Sequence, residues 1–163
     1  GGVSPVPATG VLGSHEPQWQ ELETLLPRAQ VPPAITLSTD VQGVGIFADP
    51  IMEKVFFNLL DNSIRHGGRV TGIWLSARES ADGLDIVWED NGIGIPVPEK
   101  EQIFDRGYGK NTGLGLFLVR EILSISSMTI TENGAEGQGA RFVIHVPKGS
   151  YRFPQTGVRE NPA

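Results

Sequence analysis

Two short stretches carry the residues best placed for chemistry, DNGIGIP at 90–96 and NTGLGL at 111–116. Each sets two glycines one residue apart. Without Cβ, glycine lets backbone approach a ligand closely, and a glycine-led helix start offers unpaired N–H groups to an anion. The two boxes together suggest a lid that cradles phosphate, and the ligand such a lid serves is a nucleotide. Asp90 closes the apolar run 84–88. A carboxylate in that position can lie at the floor of a pocket and accept a hydrogen bond from an exocyclic amine, as adenine presents. Alone, Asp90-Asn91-Gly92 reads equally well as a hairpin turn, and Glu132-Asn133-Gly134 reads as one. The continuation Ile93-Gly94-Ile95-Pro96 leads onward into a loop, which a simple turn does not need.

A third chemical surface lies on a helix. Projecting 51–66 at about 100° per residue gathers Met52, Val55, Phe56, Leu59, Leu60 and Ile64 on an apolar arc expected to pack on a sheet. The opposite stripe holds Lys54, Asn58, Asp61, Asn62 and Arg65, with Asn58 and Asn62 one turn apart. A merely solvated stripe is better served by Glu, Lys or Gln, because Asn and Asp are poor helix formers. Amide oxygens suit Mg²⁺, which keeps several waters and shares its shell with phosphate oxygens; Asn62 is the best single magnesium candidate, and Arg65 can reach phosphates. Other phosphate motifs fail. Gly109-Lys110-Asn111-Thr112 lacks the Lys-Ser/Thr pair of a P-loop, and Val97 and Leu118 stand where a dinucleotide fingerprint needs its third glycine.

The elements that position these residues are legible in outline. Strand-type runs occur at 34–38, 45–48, 70–77, 84–89, 128–131 and 140–146. The first helix starts at Asp49-Pro50, a capping carboxylate followed by a preset φ, and ends near His66-Gly67-Gly68. A second follows Gly113 toward Ser126. The stretch 95–112, with Gly, Pro, charged residues and one short helix, suits a mobile loop between the glycine boxes. Residues 1–14 read as a linker or cloning remnant, 15–147 as the domain, and 148–163 as a tail.

At 163 residues and 39% hydrophobic content, the chain supports one domain with a real core. A net charge of −6 disfavours a nucleic-acid partner, which needs clustered Lys and Arg. The absence of cysteine excludes disulfides and thiolate metal sites and fits a reducing, cytoplasmic setting. No apolar run has the length of a membrane span, so no direct membrane contact is expected of this segment, although a longer protein around it could be membrane-anchored. With no initiator Met, the chain reads as an excised fragment.

In this order, FFNLLDNSIRHG, DNGIGIP, IFDRGYGK and NTGLGLFLVREIL resemble the N box, first glycine box, F box and second glycine box of sensor histidine kinases, in the superfamily of gyrase, Hsp90 and MutL. The resemblance covers 19–147, and the lid lettering is similar to that of archaeal sensor kinases. It implies an α+β fold, the two-layer α/β sandwich called the Bergerat ATP-binding fold, with a mixed sheet, helices on one face and a flexible ATP lid. ATP and Mg²⁺ then lie between the N-box helix and the lid. Carried over by position, the resemblance gives Asn58 and Asn62 to phosphate and magnesium, Arg65 to phosphate and His66 to the nucleotide's flank. Asp90 reads the adenine amine; Gly92, Gly94 and Ile95 shape the pocket edge; Phe104 anchors the lid; Lys110 reaches the phosphates; Thr112, Gly113, Leu114, Gly115 and Leu116 wrap them. Asn58, Arg65 and Lys110 form the implied catalytic set. Ala140 departs from the Thr that often follows the glycine here.

Gyrase-like ATPases place Glu where Asn58 stands, and Asn cannot activate water as a base, which favours phosphoryl transfer to a protein acceptor. None of His15, His66 and His145 suits that acceptor: Pro17 follows His15 closely, and His145 reads as a solvated strand residue. The resemblance therefore implies a dimerisation and phospho-acceptor domain upstream, in the same full-length protein, and a response regulator downstream. Two other readings compete: a superfamily ATPase or serine-directed anti-sigma-type kinase, and a module that senses nucleotide without transferring phosphate.

Overall fold

Eight strands and two helices build two sheets and a helical layer in the computed structural model, which describes residues 16–108 and 115–153. In chain order they are β1 (Gln18–Glu21), β2 (Thr36–Asp40), β3 (Gly45–Ala48), α1 (Glu53–His66), β4 (Gly72–Ser80), β5 (Gly83–Asp90), α2 (Gly115–Ile125), β6 (Thr129–Glu132), β7 (Arg141–Pro147) and β8 (Tyr151–Arg152). The main sheet runs β2-β4-β5-β7-β6, mixed because β2 lies parallel to β4 while every other pair is antiparallel.

Alternation along the central strands decides which face is covered. Leu84, Ile86 and Trp88 on β5 and Phe142, Ile144 and Val146 on β7 point to the helices and are fully buried. The other face carries Trp74, 45% exposed, with the pairs Glu89–Arg141 and Asp85–His145 across the strands. Helix α1 presses Val55, Phe56, Leu59 and Leu60 onto this sheet, and α2 adds Leu116, Val119, Ile122 and Leu123. The Phe56 and Trp88 rings lie 6.4 Å apart at the centre of the contact. Each such buried aromatic contributes about 2–3 kcal/mol from the apolar surface it removes from water. The expected two-layer sandwich, with helices on one face of a mixed sheet, is what forms.

The start of α1 follows the capping logic. Asp49 Oδ1 accepts from Ile51 N–H at 2.9 Å, Pro50 opens a 3-10 turn at Pro50–Met52, and the helix follows. It ends where Gly67 N–H donates to the Ser63 carbonyl at 3.1 Å and Gly68 turns at φ +79°.

Three expectations need correction. Ile64, placed on the packed arc, is 39% exposed, and Ser63 is fully buried in its stead. The helical projection explains this, since Ser63 falls at the middle of the arc set by Phe56, Leu59 and Leu60 while Ile64 lies at its rim. The Glu132-Asn133-Gly134 hairpin turn is also absent. β6 and β7 are joined by 133–140, and Glu132 folds its carboxylate back to accept from the N–H groups of Gly134 and Arg141, both at 3.0 Å.

The third correction concerns the flanks. β1 and β8 pair on either side of β3, a second, antiparallel three-stranded sheet that the strand signals did not reveal. β8 lies past Pro147, in the stretch read as tail. Its place rests on its partners: Arg152 stacks over the Trp19 ring at 4.2 Å, Tyr151 lies edge-on to Phe153, and the Tyr151 hydroxyl bonds Glu79 at 2.6 Å.

Candidate functional site

The site is assembled where the end of β5 meets the middle of α1. Asp90, the last residue of β5, is 4% exposed. Its Oδ1 accepts from Gly92 N–H at 2.9 Å and Ala140 N–H at 3.1 Å, and its Oδ2 accepts from the Ser63 hydroxyl at 2.7 Å. An ionised carboxylate offers about four acceptor positions. Among the described residues three are filled, which leaves one on Oδ2 for an outside donor. Ala140 contributes through its backbone N–H, so the lack of a side-chain hydroxyl there leaves this contact intact.

The first glycine box is built by backbone packing. A Cβ on Gly92 would lie 2.1 Å from the Gly67 carbonyl oxygen, and Ile93 N–H donates to that same oxygen at 2.8 Å. Gly92 thus lets the strand end close on the helix end. Gly94 takes φ +79°, a left-handed conformation costly for any residue with a Cβ. Asn91 holds the box from the other side, its Oδ1 accepting from Thr71 N–H at 2.9 Å and Gly72 N–H at 3.1 Å. Ile95 follows half-buried, packed against the core.

Along the outer side of α1, Asn58 and Asn62 are half-buried, and Arg65 and His66 are exposed. Asn58 Nδ2 donates to the Gly115 carbonyl at 3.3 Å, which brings the polar stripe of α1 against the first turn of α2 and so to the second glycine box. Leu116 is buried beneath it. Arg65 is held by Asp61 at 2.8 Å, a pair more than half exposed on both sides and therefore easily exchanged for another anion. Lys110, Thr112, Gly113 and Leu114 lie outside the described residues.

The approach to the lid is packed. Of two 3-10 turns, Val97–Glu99 and Gln102–Phe104, the second buries Ile103 and Phe104. The Phe104 ring meets Phe142 edge-on at 6.2 Å, with the Arg120 guanidinium 5.9 Å from its centroid. Tyr108 bonds Glu99, which pushes the phenol up to about 12 by hydrogen bonding first, then burial and charge. Lys100 pairs with the buried Glu132 of β6. These ties are formed by 97–108, part of the stretch read as mobile loop.

The donor set fits magnesium held jointly with phosphate. Two neutral amides face the same side, and no cluster of three or more His, Cys, Asp or Glu among the described residues could cage a metal alone. Ser63 and Trp88 were missed by sequence reasoning, though Ser63 at the centre of an apolar arc was a usable signal. His145, read as solvated, is one-third exposed and bonded through Nδ1 to Asp85 at 2.9 Å; that bond, outweighing partial burial, raises its pKa.

A mixed sheet under two helices, with a buried carboxylate at a strand end and an amide stripe facing the first turn of the second helix, defines a nucleotide-binding α/β sandwich. Residues 48–150 match the family of histidine kinase-, DNA gyrase B-, and HSP90-like ATPases, and the chain belongs to that family. It is 40% identical over 101 residues to the alginate biosynthesis sensor protein KinB of Pseudomonas aeruginosa, covering 59% of this chain and 17% of that protein. It is 32% identical over 123 residues to the sensor histidine kinase RcsC of Escherichia coli, covering 69% of this chain and 13% of that protein. The chain thus spans under a fifth of either relative's length. The ATP-binding domain of PrrB from Mycobacterium tuberculosis superposes with TM-score 0.68 at 28% identity, covering 83% of this chain and 100% of that one. The full-length ShkA structure in complex with AMPPNP superposes with TM-score 0.67 at 22% identity, covering 80% of this chain and 31% of that one, a likeness of fold.

Proposed function

We propose that this domain binds ATP with Mg²⁺ and donates the γ-phosphoryl group to a histidine on a separate dimerisation domain of the same full-length protein. The observation that carries the proposal is the Asp90 carboxylate, buried and left with one acceptor position, on the same helix-sheet seam as Asn58 and Asn62. Adenine fits that position because its 6-amino group donates where guanine presents an oxo group. Gly92, Gly94 and Ile95 shape the edge of the base pocket, and His66 flanks the nucleotide. Asn62 holds Mg²⁺ together with phosphate oxygens, and the metal supplies charge neutralisation there.

Asn58 and Arg65 orient the phosphate chain from α1; Lys110 and the backbone of Thr112, Gly113, Leu114, Gly115 and Leu116 surround it, with Phe104 anchoring the lid. In the transfer the bond between the γ-phosphorus and the β,γ-bridging oxygen breaks. A bond to an imidazole nitrogen forms, ADP leaves, and the imidazole N–H proton passes to solvent. Asn58 cannot abstract a proton from water, which favours a protein acceptor over hydrolysis.

A response regulator then takes the phosphoryl group. No helix of the described residues is long and apolar enough to cross a membrane, and a cytoplasmic setting suits a domain that needs ATP. The test is to mix the chain and labelled ATP with its cognate dimerisation domain. Label on a histidine of that domain is the expected result, and its absence under conditions of full ATP occupancy overturns the proposal.

A further inference from the structure

Behind the base-reading carboxylate lies a polar chain of two fully buried groups. Trp88 Nε1–H donates to Ser63 Oγ at 3.1 Å, and the Ser63 hydroxyl donates to Asp90 Oδ2 at 2.7 Å. Trp88 and Ser63 are both fully buried. The chemistry of the three groups fixes the direction of this chain. An indole nitrogen only donates, an ionised carboxylate only accepts, and a hydroxyl does both. With one lone pair occupied by Trp88, the hydroxyl proton is left to point at Asp90.

A buried serine within a helix has an alternative, since its hydroxyl can bond the carbonyl one turn earlier. Here the hydroxyl donates to the carboxylate instead, while the indole N–H occupies one of its lone pairs and so restricts its rotation. Asp90 Oδ1 is already pinned by Gly92 and Ala140 N–H groups. The carboxylate plane is therefore set from both ends, and the one remaining acceptor position on Oδ2 has a fixed direction.

We propose that Ser63, oriented by Trp88, is a positioning residue that makes Asp90 selective for a nucleotide with an exocyclic amine at purine position 6. The inference rests on the reading of Asp90 as the base-reading group. It adds that selectivity depends on two residues which need not touch the ligand. Position matters because a hydrogen bond weakens steeply as its angle departs from linearity, so a carboxylate free to swing about its Cβ–Cγ bond discriminates less.

The experiment measures affinity by titration calorimetry for ATP and for purine riboside triphosphate, which lacks the amine, in wild type, Ser63→Ala, Trp88→Phe and Asp90→Asn. Ser63→Ala is expected to lower ATP affinity by about fivefold to tenfold while leaving purine riboside triphosphate within about twofold. Trp88→Phe keeps a six-membered aromatic ring and removes the donor along with the fused five-membered ring, so the packing it loses is common to both nucleotides and the donor's part shows as a selective loss for ATP of about twofold to threefold. Equal loss for both nucleotides in Ser63→Ala marks a structural role and overturns the proposal, as does no loss for either. Should Ser63→Ala fail to fold, Trp88→Phe decides by the same ratio. Asp90→Asn separates the two levels. If it leaves the ATP preference intact, the base-reading role falls; if it abolishes the preference while Ser63→Ala and Trp88→Phe do not, only the positioning role falls.

Discussion

Asn58 Nδ2 lies 3.3 Å from the Gly115 carbonyl oxygen, bridging two segments 57 residues apart. The contact joins the polar stripe of the first helix to the start of the second. A change in the first turn of α2 is therefore felt at Asn58, and the amide stripe and Gly115 share one surface.

Asn62→Ala is expected to remove the magnesium-dependent part of ATP affinity, about tenfold or more, and to leave metal-free binding nearly unchanged. Calorimetric titrations with Mg²⁺ and with a chelator check this. A parallel drop in both conditions would assign Asn62 to the nucleotide and not to the metal.

Gly92→Ala forces a Cβ to within 2.1 Å of the Gly67 carbonyl oxygen, a backbone neighbour that cannot rotate away. Expected are a loss of about 2–3 kcal/mol in stability and a clear loss of ATP affinity, because Gly92 N–H also holds Asp90. Gly107→Ala is the comparison. Gly107 has φ +86° with nothing near its absent Cβ, so backbone strain alone should cost about 1–2 kcal/mol. Denaturant midpoints decide, and equal costs would refute the packing role of Gly92.

Lys100→Met leaves Glu132, whose side chain has no exposed surface, without its cationic partner. Glu132 keeps its bonds to the Gly134 and Arg141 N–H groups, and Lys100 is 17% exposed, so the expected cost falls just below the roughly 3–5 kcal/mol of a fully buried broken pair, at about 2–3 kcal/mol. A change under about 0.5 kcal/mol in urea unfolding would show that water replaces the lysine.

His145 holds its proton more tightly in the folded state than its ordinary value of 6.5, chiefly through the Asp85 bond. The contribution of the pair is complete below that value and is lost as pH rises through the raised one. Because both side chains are about one-third exposed, it should stay below about 1 kcal/mol. Wild type minus Asp85→Asn stability, followed from pH 5 to 9 (about two units either side of neutrality), should shrink as pH rises. A difference that grows with pH would reverse the assignment.

Much of the architecture was legible because its causes are local. The 3.6-residue period from Met52 to Leu60, the Asp49-Pro50 start and the Gly67 stop specify α1 without reference to the rest of the chain. The alternation in β5 and β7 specifies a half-covered sheet. β1 and β8 escaped notice because QWQE and YR carry no usable period; their stability resides in β3, which lies far from both in sequence.

The sequence by itself determined the order of the four motifs, the two helix faces and the carboxylate at the end of an apolar strand, each a matter of residue type and spacing. Only the tertiary structure decided what the buried polar groups do. Ser63 and Asp90 meet across 27 residues, and Trp88 completes their chain from the sheet. Periodicity states which face a side chain occupies, but a buried donor must find its acceptor wherever packing brings one, and that partner is not encoded nearby.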